Sequence, residues 1–541
     1  MTPITVPPTL ALLNESDLAR LPELIQSAVD RQESSYSLQS LNDAILNYYS
    51  TDDDLDPLAI FPLLLPSAID DTDILLKTAG VKCSPREALI ALQEGAERLA
   101  STDQDEDSDK DSDDVPASTQ AARILTLYSI VLPRLNKRKK TASEILRPLM
   151  SQLQGTIRTV SQHENTDPQE LLRSLLLLTH ALPDWIGDDS LERSAVANLL
   201  YNVLQEILQC NANNIHSGLT PKAFERQYPN LRVPGASPSG PSGNPVSQTM
   251  ADTLNALAGL GFETNILTTQ PSIASLILIA HSPQPRLVET TLEAFLPVIL
   301  ASIQSNTALD ETLAVLLDTL GHLRNTVSRP DLAIDILIPL AHVLAPLASI
   351  HPDPPTRHAT FRVLSIVLTL SPSLIRMKLL RDLVIDEDES MQQMRVAAVG
   401  LVKEAVLEAL NAPRTTSGPP NVFISPLLMQ EIGSVLFLKQ AENIAPTVVK
   451  FLESAEPLRL IESMGLLYVL LLRDVDNRTG VRDHSFIQEV ERTMLAPLKT
   501  RLALWEKDTG NLPELDHATM QIGILDMWLG RIASAIDNIS R

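Results

Sequence analysis

Only two cysteines, Cys83 and Cys210, occur in 541 residues. They cannot build a disulfide framework or complete a structural zinc site, and they read as small apolar residues in or near a core. Glycine is scarce at 19, which disfavours sandwiches and barrels built on many glycine turns. Aromatics make up 4% against 44% hydrophobic overall, so a core must come from Leu, Ile, Val and Ala. Leu and Ala are strong helix formers. Basic residues are in deficit, 43 against 67 acids for a net charge of −24. That balance excludes a phosphate-tracking surface and makes basic protein surfaces or tails the complementary partners. No apolar run reaches the roughly 20 residues of a membrane span. The best, 336–350, contains Pro339, His342 and Pro346 and reads as a buried helix pair. The opening Met1-Thr-Pro-Ile-Thr-Val-Pro-Pro lacks the basic-then-apolar order of a secretion signal. With so few cysteines, this predicts a cytoplasmic or nuclear protein without a membrane anchor.

Proline, by contrast, is frequent at 38. It suits many short helices, because proline is tolerated in a first turn and stops a preceding helix. Leu-rich segments with apolar residues three and four apart predict helices over 170–182, 191–209, 287–303, 312–327 and 361–370. The breaks carry helix-start chemistry: Ser84-Pro85-Arg86-Glu87, Asp167-Pro168-Gln169-Glu170 and Arg329-Pro330-Asp331. Proline takes the first helical position, and the early acid suits the helix dipole.

Two stretches interrupt the rhythm. Residues 101–118 open on eight acids and one lysine within 101–114 and are too charged to bury anything, which predicts disorder. Residues 229–247 form a Pro/Gly/Ser linker spanning ~24 Å if flexible. The predicted organisation is an N-terminal helical array over 1–228, the linker 229–247 and a C-terminal array over 248–541.

The second half carries a recurrence. Pro354-Pro355-Thr356-Arg357-His358-Ala359 enters a helix, and Gln393-Met394-Arg395-Val396-Ala397 repeats that logic after the acidic turn Asp386–Glu389. The two arginines are 38 residues apart, with a weaker copy at Arg286. HEAT repeats have periods near 40 residues and often open their second helix with this arginine. The fold class expected is therefore all-α, a HEAT/armadillo-like solenoid in one or two arrays. Val396, Val399, Val406 and Leu410 are expected on one buried face, and Arg357 and Arg395 are expected to pair with loop acids.

Chemistry is not legible. No P-loop, GxGxxG, HExxH, GxSxG or kinase signature occurs. Gly259-Leu260-Gly261 reads as a turn, and His351 and His358, seven apart without cysteine nearby, are poor metal ligands. No catalytic, metal or cofactor residue is predicted. Ser108 and Ser112 sit among acids, a context that acidophilic kinases accept, and are candidate phosphorylation sites. Asn136-Lys137-Arg138-Lys139-Lys140 is a basic cluster, read as a solvated helix end, with nuclear import or partner contact as the alternative.

One region resembles a known family. Cys83-Ser84-Pro85-Arg86-Glu87-Ala88-Leu89 opens a leucine helix, and Ile124-Leu125-Thr126-Leu127-Tyr128 leads to Arg134. A helix start of this kind followed by a Leu-x-x-Leu-Tyr helix resembles the glomulin family, with its fungal Yap-binding stress-response and kinetochore relatives. The resemblance implies a non-catalytic adaptor or regulator. Its implied partner is a RING-box/cullin ubiquitin-ligase complex or an oxidative-stress transcription factor. The alternative is another HEAT scaffold, such as a nuclear transport receptor or a kinase-assembly co-chaperone. No contact motif places the partner-binding residues.

Overall fold

The computed structural model describes residues 20–30, 36–48, 55–101, 114–163, 168–215, 218–229, 245–282, 286–326, 331–386, 388–412, 421–438, 447–509 and 516–540. These residues are overwhelmingly helical, and no named strand occurs among them; two isolated bridges, Leu55 with Cys83 and Ser67 with Asp114, are the only β pairing. The fold is all-α, as the Leu/Ala-rich composition predicts. It divides into two compact units: Met1–Leu219 with Leu231–Val315, and Thr220–Asn230 with Leu316–Arg541.

In the first unit the helices of eight residues or more begin with α1 (Leu21–Val29), α2 (Leu38–Tyr48), α3 (Pro57–Leu64), α4 (Thr72–Lys82) and α5 (Pro85–Ser101). They continue with α6 (Ala117–Val131), α7 (Ala142–His163), α8 (Pro168–Ala181) and α9 (Ser190–Cys210). Past α10 (Leu219–Gln227), which from Thr220 onward belongs to the second unit, the first unit resumes with α11 (Pro245–Gly259), α12 (Ile273–Ala280), α13 (Glu289–Ser305) and the start of α14 (Leu309–Asn325). Packing follows alternate helices: α1, α3, α5, α7, α9 and α12 stack in one row, and α2, α4, α6, α8 and α11 in a second. The rows touch each other, as where α6 meets α5 and α7. An end helix such as α1 buries one stripe, Leu21 and Ile25, whereas α6 buries Ala121, Ala122, Ile124, Leu125, Leu127, Tyr128 and Val131. A helix contacted from several sides must be apolar all round.

The helix starts follow from local chemistry. Asp56 caps the Leu58 N–H, Asp189 caps Leu191, and Ser272 forms a reciprocal capping box with Ser275. Such caps satisfy amide groups that the helix itself leaves free. Pro85 and Pro168 stand first in α5 and α8, as predicted, but Pro330 lies outside the described residues and the next helix starts at Ile334. Gly261, at φ +92°, ends α11: the amide of Phe262 returns to the Leu257 carbonyl and that of Gly261 to Ala258. Glycine adopts this left-handed geometry without a Cβ penalty. Gly259–Gly261 is thus a helix stop, in line with the turn reading.

The second unit contains α15 (Ile334–Ile350), α16 (Pro354–Thr369), α17 (Ser373–Ile385), α18 (Gln392–Asn411), α19 (Glu456–Arg473), α20 (Ala496–Thr509) and α21 (Asp516–Ser540). Helix α15 packs on α16 and α18, α17 on α18, α18 on α19, and α21 on α19 and α20. Residues 336–350 lie in one helix and not in the expected pair, because Pro339 and Pro346 are both accommodated inside it. Each proline removes one amide donor, and the buried Ile336, Leu337, Leu340, Ala341, Leu344 and Ala345 hold the segment helical regardless. In α18 the buried set is Met394, Ala398, Val399, Leu401, Val402, Ala405, Val406 and Ala409, while Val396 and Leu410 are half-buried. The expected single face was too narrow, since α18 is covered by α15, α17 and α19.

The contact-defined division falls between Val315 and Leu316, away from the linker 229–247, of which 230–244 lie outside the described residues. The acidic run is shorter in structure than 101–118 at both ends. Ser101 closes α5, Asp114 bridges Ser67, the Val115 amide donates to the Pro66 carbonyl, and α6 begins at Ala117. Residues 102–113, with Ser108 and Ser112, lie outside the described residues.

Candidate interaction surfaces

Polar side chains in this protein mainly close helix ends. Arg123 donates through Nη1 to the carbonyls of Leu65 and Ser67, both at 2.8 Å, and through Nε to Asp73 at 2.7 Å. Arg134 reaches the Gly80 carbonyl at 2.7 Å, and Arg482 donates to Leu471 at 2.6 Å. Arg357 follows the same rule. Its Nη1 donates to the carbonyls of His351 at 2.6 Å and Pro352 at 3.1 Å, not to a loop acid. Arg395 is half-buried, and its Nε finds no acceptor among the described residues. Arg357 thus forms no direct ion pair with a loop acid among the described residues; its hydrogen bonds go to the carbonyls just past α15. The Asp353 carboxyl is lowered first by the hydrogen bonds from Thr356 and only last by the charge of Arg357.

The basic cluster 136–140 is a loop before α7 and not a helix end. Lys137 donates to the Ile186 carbonyl at 3.0 Å and lies 5.5 Å from the Trp185 ring centre, whose Nε1 donates to Leu135. One lysine of the cluster is therefore spent on a structural joint. Cys83 is buried and Cys210 half-buried, and both are free thiols. Burial foremost, then the hydrogen bond to Glu206 at 3.4 Å, pushes the Cys210 thiol up to about 12. His351 accepts the Asp353 amide, whereas His358 lies 5.1 Å from the Phe224 ring centre. Among the described residues no group of three or more His, Cys, Asp or Glu could hold a metal ion. None of their helices is long and apolar enough to cross a membrane.

Three features outside the sequence reading stand out. The first is the segment 219–229, placed within the second unit from Thr220 onward. Arg226 pairs with Asp318, whose side chain is 4% exposed. Tyr228 receives a hydrogen bond from Arg324 at 3.1 Å, and the guanidinium carbons of Arg324 and Arg362 lie 5.3 and 5.6 Å from its ring centre. Phe224 stacks on Tyr228 and on His358. Burial, then the charge of Arg362, holds His358 below its ordinary value. An aromatic pair one turn apart in an otherwise polar helix, PKAFERQY, was the available sequence signal.

The second is a shallow depression in the first unit lined by Asp73, Lys77, Arg123, Glu170, Arg173 and Ser174. Its polar groups are largely engaged internally: Arg123 as above, Glu170 by the Thr119 hydroxyl and Ser174 by Thr126.

The third is a groove of about 220 Å³ in the second unit between α15 and α17. Ala341, Ala345, Leu379 and Met391 form a buried apolar floor. Asp382 and Asp386 stand on one rim and His342 and Pro346 on the other. Asp386 uses Oδ1 to accept the Asp388 amide at 3.0 Å. Pro346 has no N–H, so the His342 carbonyl lacks its ordinary helical donor. The groove presents the two carboxylates of Asp382 and Asp386, and its lining holds no lysine or arginine.

Alternately stacked helices, arginines that serve helix-end carbonyls and a groove bordered by two carboxylates are what the described residues present for recognition. Residues 280–527 match the family model described as "Uncharacterised protein family, YAP/Alf4/glomulin", a match that supports the resemblance to the glomulin family over that stretch. The match lies apart from residues 83–135, where the resemblance was first visible, and supports it from the other end of the chain. No curated protein matches the chain.

Proposed function

We propose that this protein is a non-catalytic adaptor or regulator of the glomulin type, built as a HEAT/armadillo-like solenoid that binds another protein. The observation that carries the reading is the two-row stacking of alternate helices from α1 to α12. In such an array each unit buries its neighbour's face and leaves long outer surfaces for a partner. The family-model match over residues 280–527 supports the adaptor role. The acidic balance of 67 acids to 43 bases suits a partner with a basic face. The proposed partner is a RING-box/cullin complex or a stress transcription factor, met in the cytoplasm or nucleus.

Affinity purification of the full chain from its own cells, followed by mass spectrometry, tests this. Recovery of a cullin–RING-box complex or of a stress transcription factor supports the reading. Recovery of import cargo with dependence on a small GTPase assigns the chain to transport receptors instead. Recovery of no stable protein partner overturns the adaptor role.

A further inference from the structure

We propose that the groove between α15 and α17 docks a lysine- or arginine-bearing segment of a partner protein. This rests on the adaptor reading and specifies the chemistry of the recognised segment. The floor demands an apolar stem: Leu379 is 7% exposed and Met391 5%, with Leu383 half-buried beside them. The rims demand a donor. Asp382 and Asp386 follow each other by one helical turn, so their carboxylates border the same side of the groove. His342 and Pro346 complete the lining on the α15 side. A lysine or arginine satisfies both demands, laying its methylene stem along the floor and its cationic head against the two carboxylates.

Other occupants fit less well. An acidic segment meets two carboxylates of its own sign. A purely apolar one covers the floor but offers the rim acceptors nothing, and a buried acceptor without a donor is costly. Among the described residues no lysine or arginine lines the place, and Arg381, next to Asp382, is held by Glu431 at 3.1 Å. The volume of about 220 Å³ is below the roughly 300–1,000 Å³ usual for small-molecule sites, which favours a side chain of a larger partner over a free metabolite.

The test uses the full chain, immobilised, and a random twelve-residue peptide library. Wild-type protein should enrich peptides in which Lys or Arg is flanked by apolar residues. The best peptide, labelled with fluorescein, should bind the double variant Asp382→Asn/Asp386→Asn roughly fivefold more weakly, with a shallower salt dependence. Asparagine keeps an acceptor for the Asp388 amide, so the local fold is retained, which circular dichroism checks. Enrichment of acidic peptides, no enrichment, or equal affinity for the double variant overturns the groove. The adaptor reading is scored separately. If wild type and double variant capture the same cellular partners, the groove is dismissed and the adaptor reading stands. If basic peptides bind as expected but no cellular partner is captured, the adaptor reading falls and the groove chemistry stands.

Discussion

His281 and Glu311 face each other 3.7 Å apart (Nε2 to Oε1) in the first unit, with side chains 2% and 0% exposed. His281 caps the end of α12, and Glu311 lies in the first turn of α14, where an acid is favoured by the helix dipole. At 3.7 Å the contact is longer than a hydrogen bond, and neither ring nitrogen of His281 has a hydrogen-bond partner among the described residues. Replacing Glu311 by Ala removes the carboxylate that faces the ring and should cost about 1–3 kcal/mol. Replacing both, His281→Leu with Glu311→Met, should cost clearly less than the two single changes combined. Urea denaturation of the four proteins reads this, and strict additivity would refute the coupling.

Arginine on helix-end carbonyls gives a contrast between two substitutions. Arg123→Lys loses the fork that serves Leu65, Ser67 and Asp73 together, and should destabilise by about 1–3 kcal/mol. Arg20→Lys touches only the exposed pair with Glu23 and should leave the midpoint unchanged. Equal shifts in thermal or urea midpoints would remove the distinction.

The thiols are expected to be inert. Cys83 is wholly shielded, and Cys210, with its pKa near 12, is almost entirely in the unreactive thiol form at neutral pH. Iodoacetamide at pH 7.5 should label neither cysteine in the folded chain and both after denaturation. Rapid native labelling of Cys210 would contradict its environment.

Acid should loosen the segment 219–229. The folded site holds His358 below the ordinary value of 6.5, so it binds fewer protons than the open state. The stability this contributes is present above about pH 6.5 and is lost as pH falls through the lowered folded value. Hydrogen exchange across 219–229, corrected for intrinsic rate, should therefore show less protection at pH 5.5 than at 7.5. His358→Phe keeps the contact with Phe224 and should abolish the difference. Equal protection of wild type at both pH values would dismiss the effect.

Much of the helix layout was legible. Pro85 and Pro168 start the helices their position predicts, and 191–209 falls within Ser190–Cys210, because caps and apolar spacing are local properties. Which helix touches which is not local. The 38-residue recurrence of Arg357 and Arg395 does not reappear as equivalent contacts: Arg357 serves the end of α15, while the Arg395 Nε has no acceptor among the described residues. The groove was invisible for the same reason, since residues from 341 to 391 form it only when α15 and α17 lie together.

The stacking in the first unit also has a consequence for synthesis. Its cross-joint hydrogen bonds join residues a near-constant distance apart in sequence: 48 for Thr126 to Ser174, 54 for Arg134 to Gly80, 60 for Thr156 to Ala96. Each joint can close soon after its second member leaves the ribosome, at a loop-closure cost that barely changes along the array. The segment 219–229 breaks that schedule. Its partners Asp310, Asp318 and Arg324 lie 91, 92 and 96 residues further on. During translation it waits, aromatic side chains unburied, while nearly twice the usual length of chain is made.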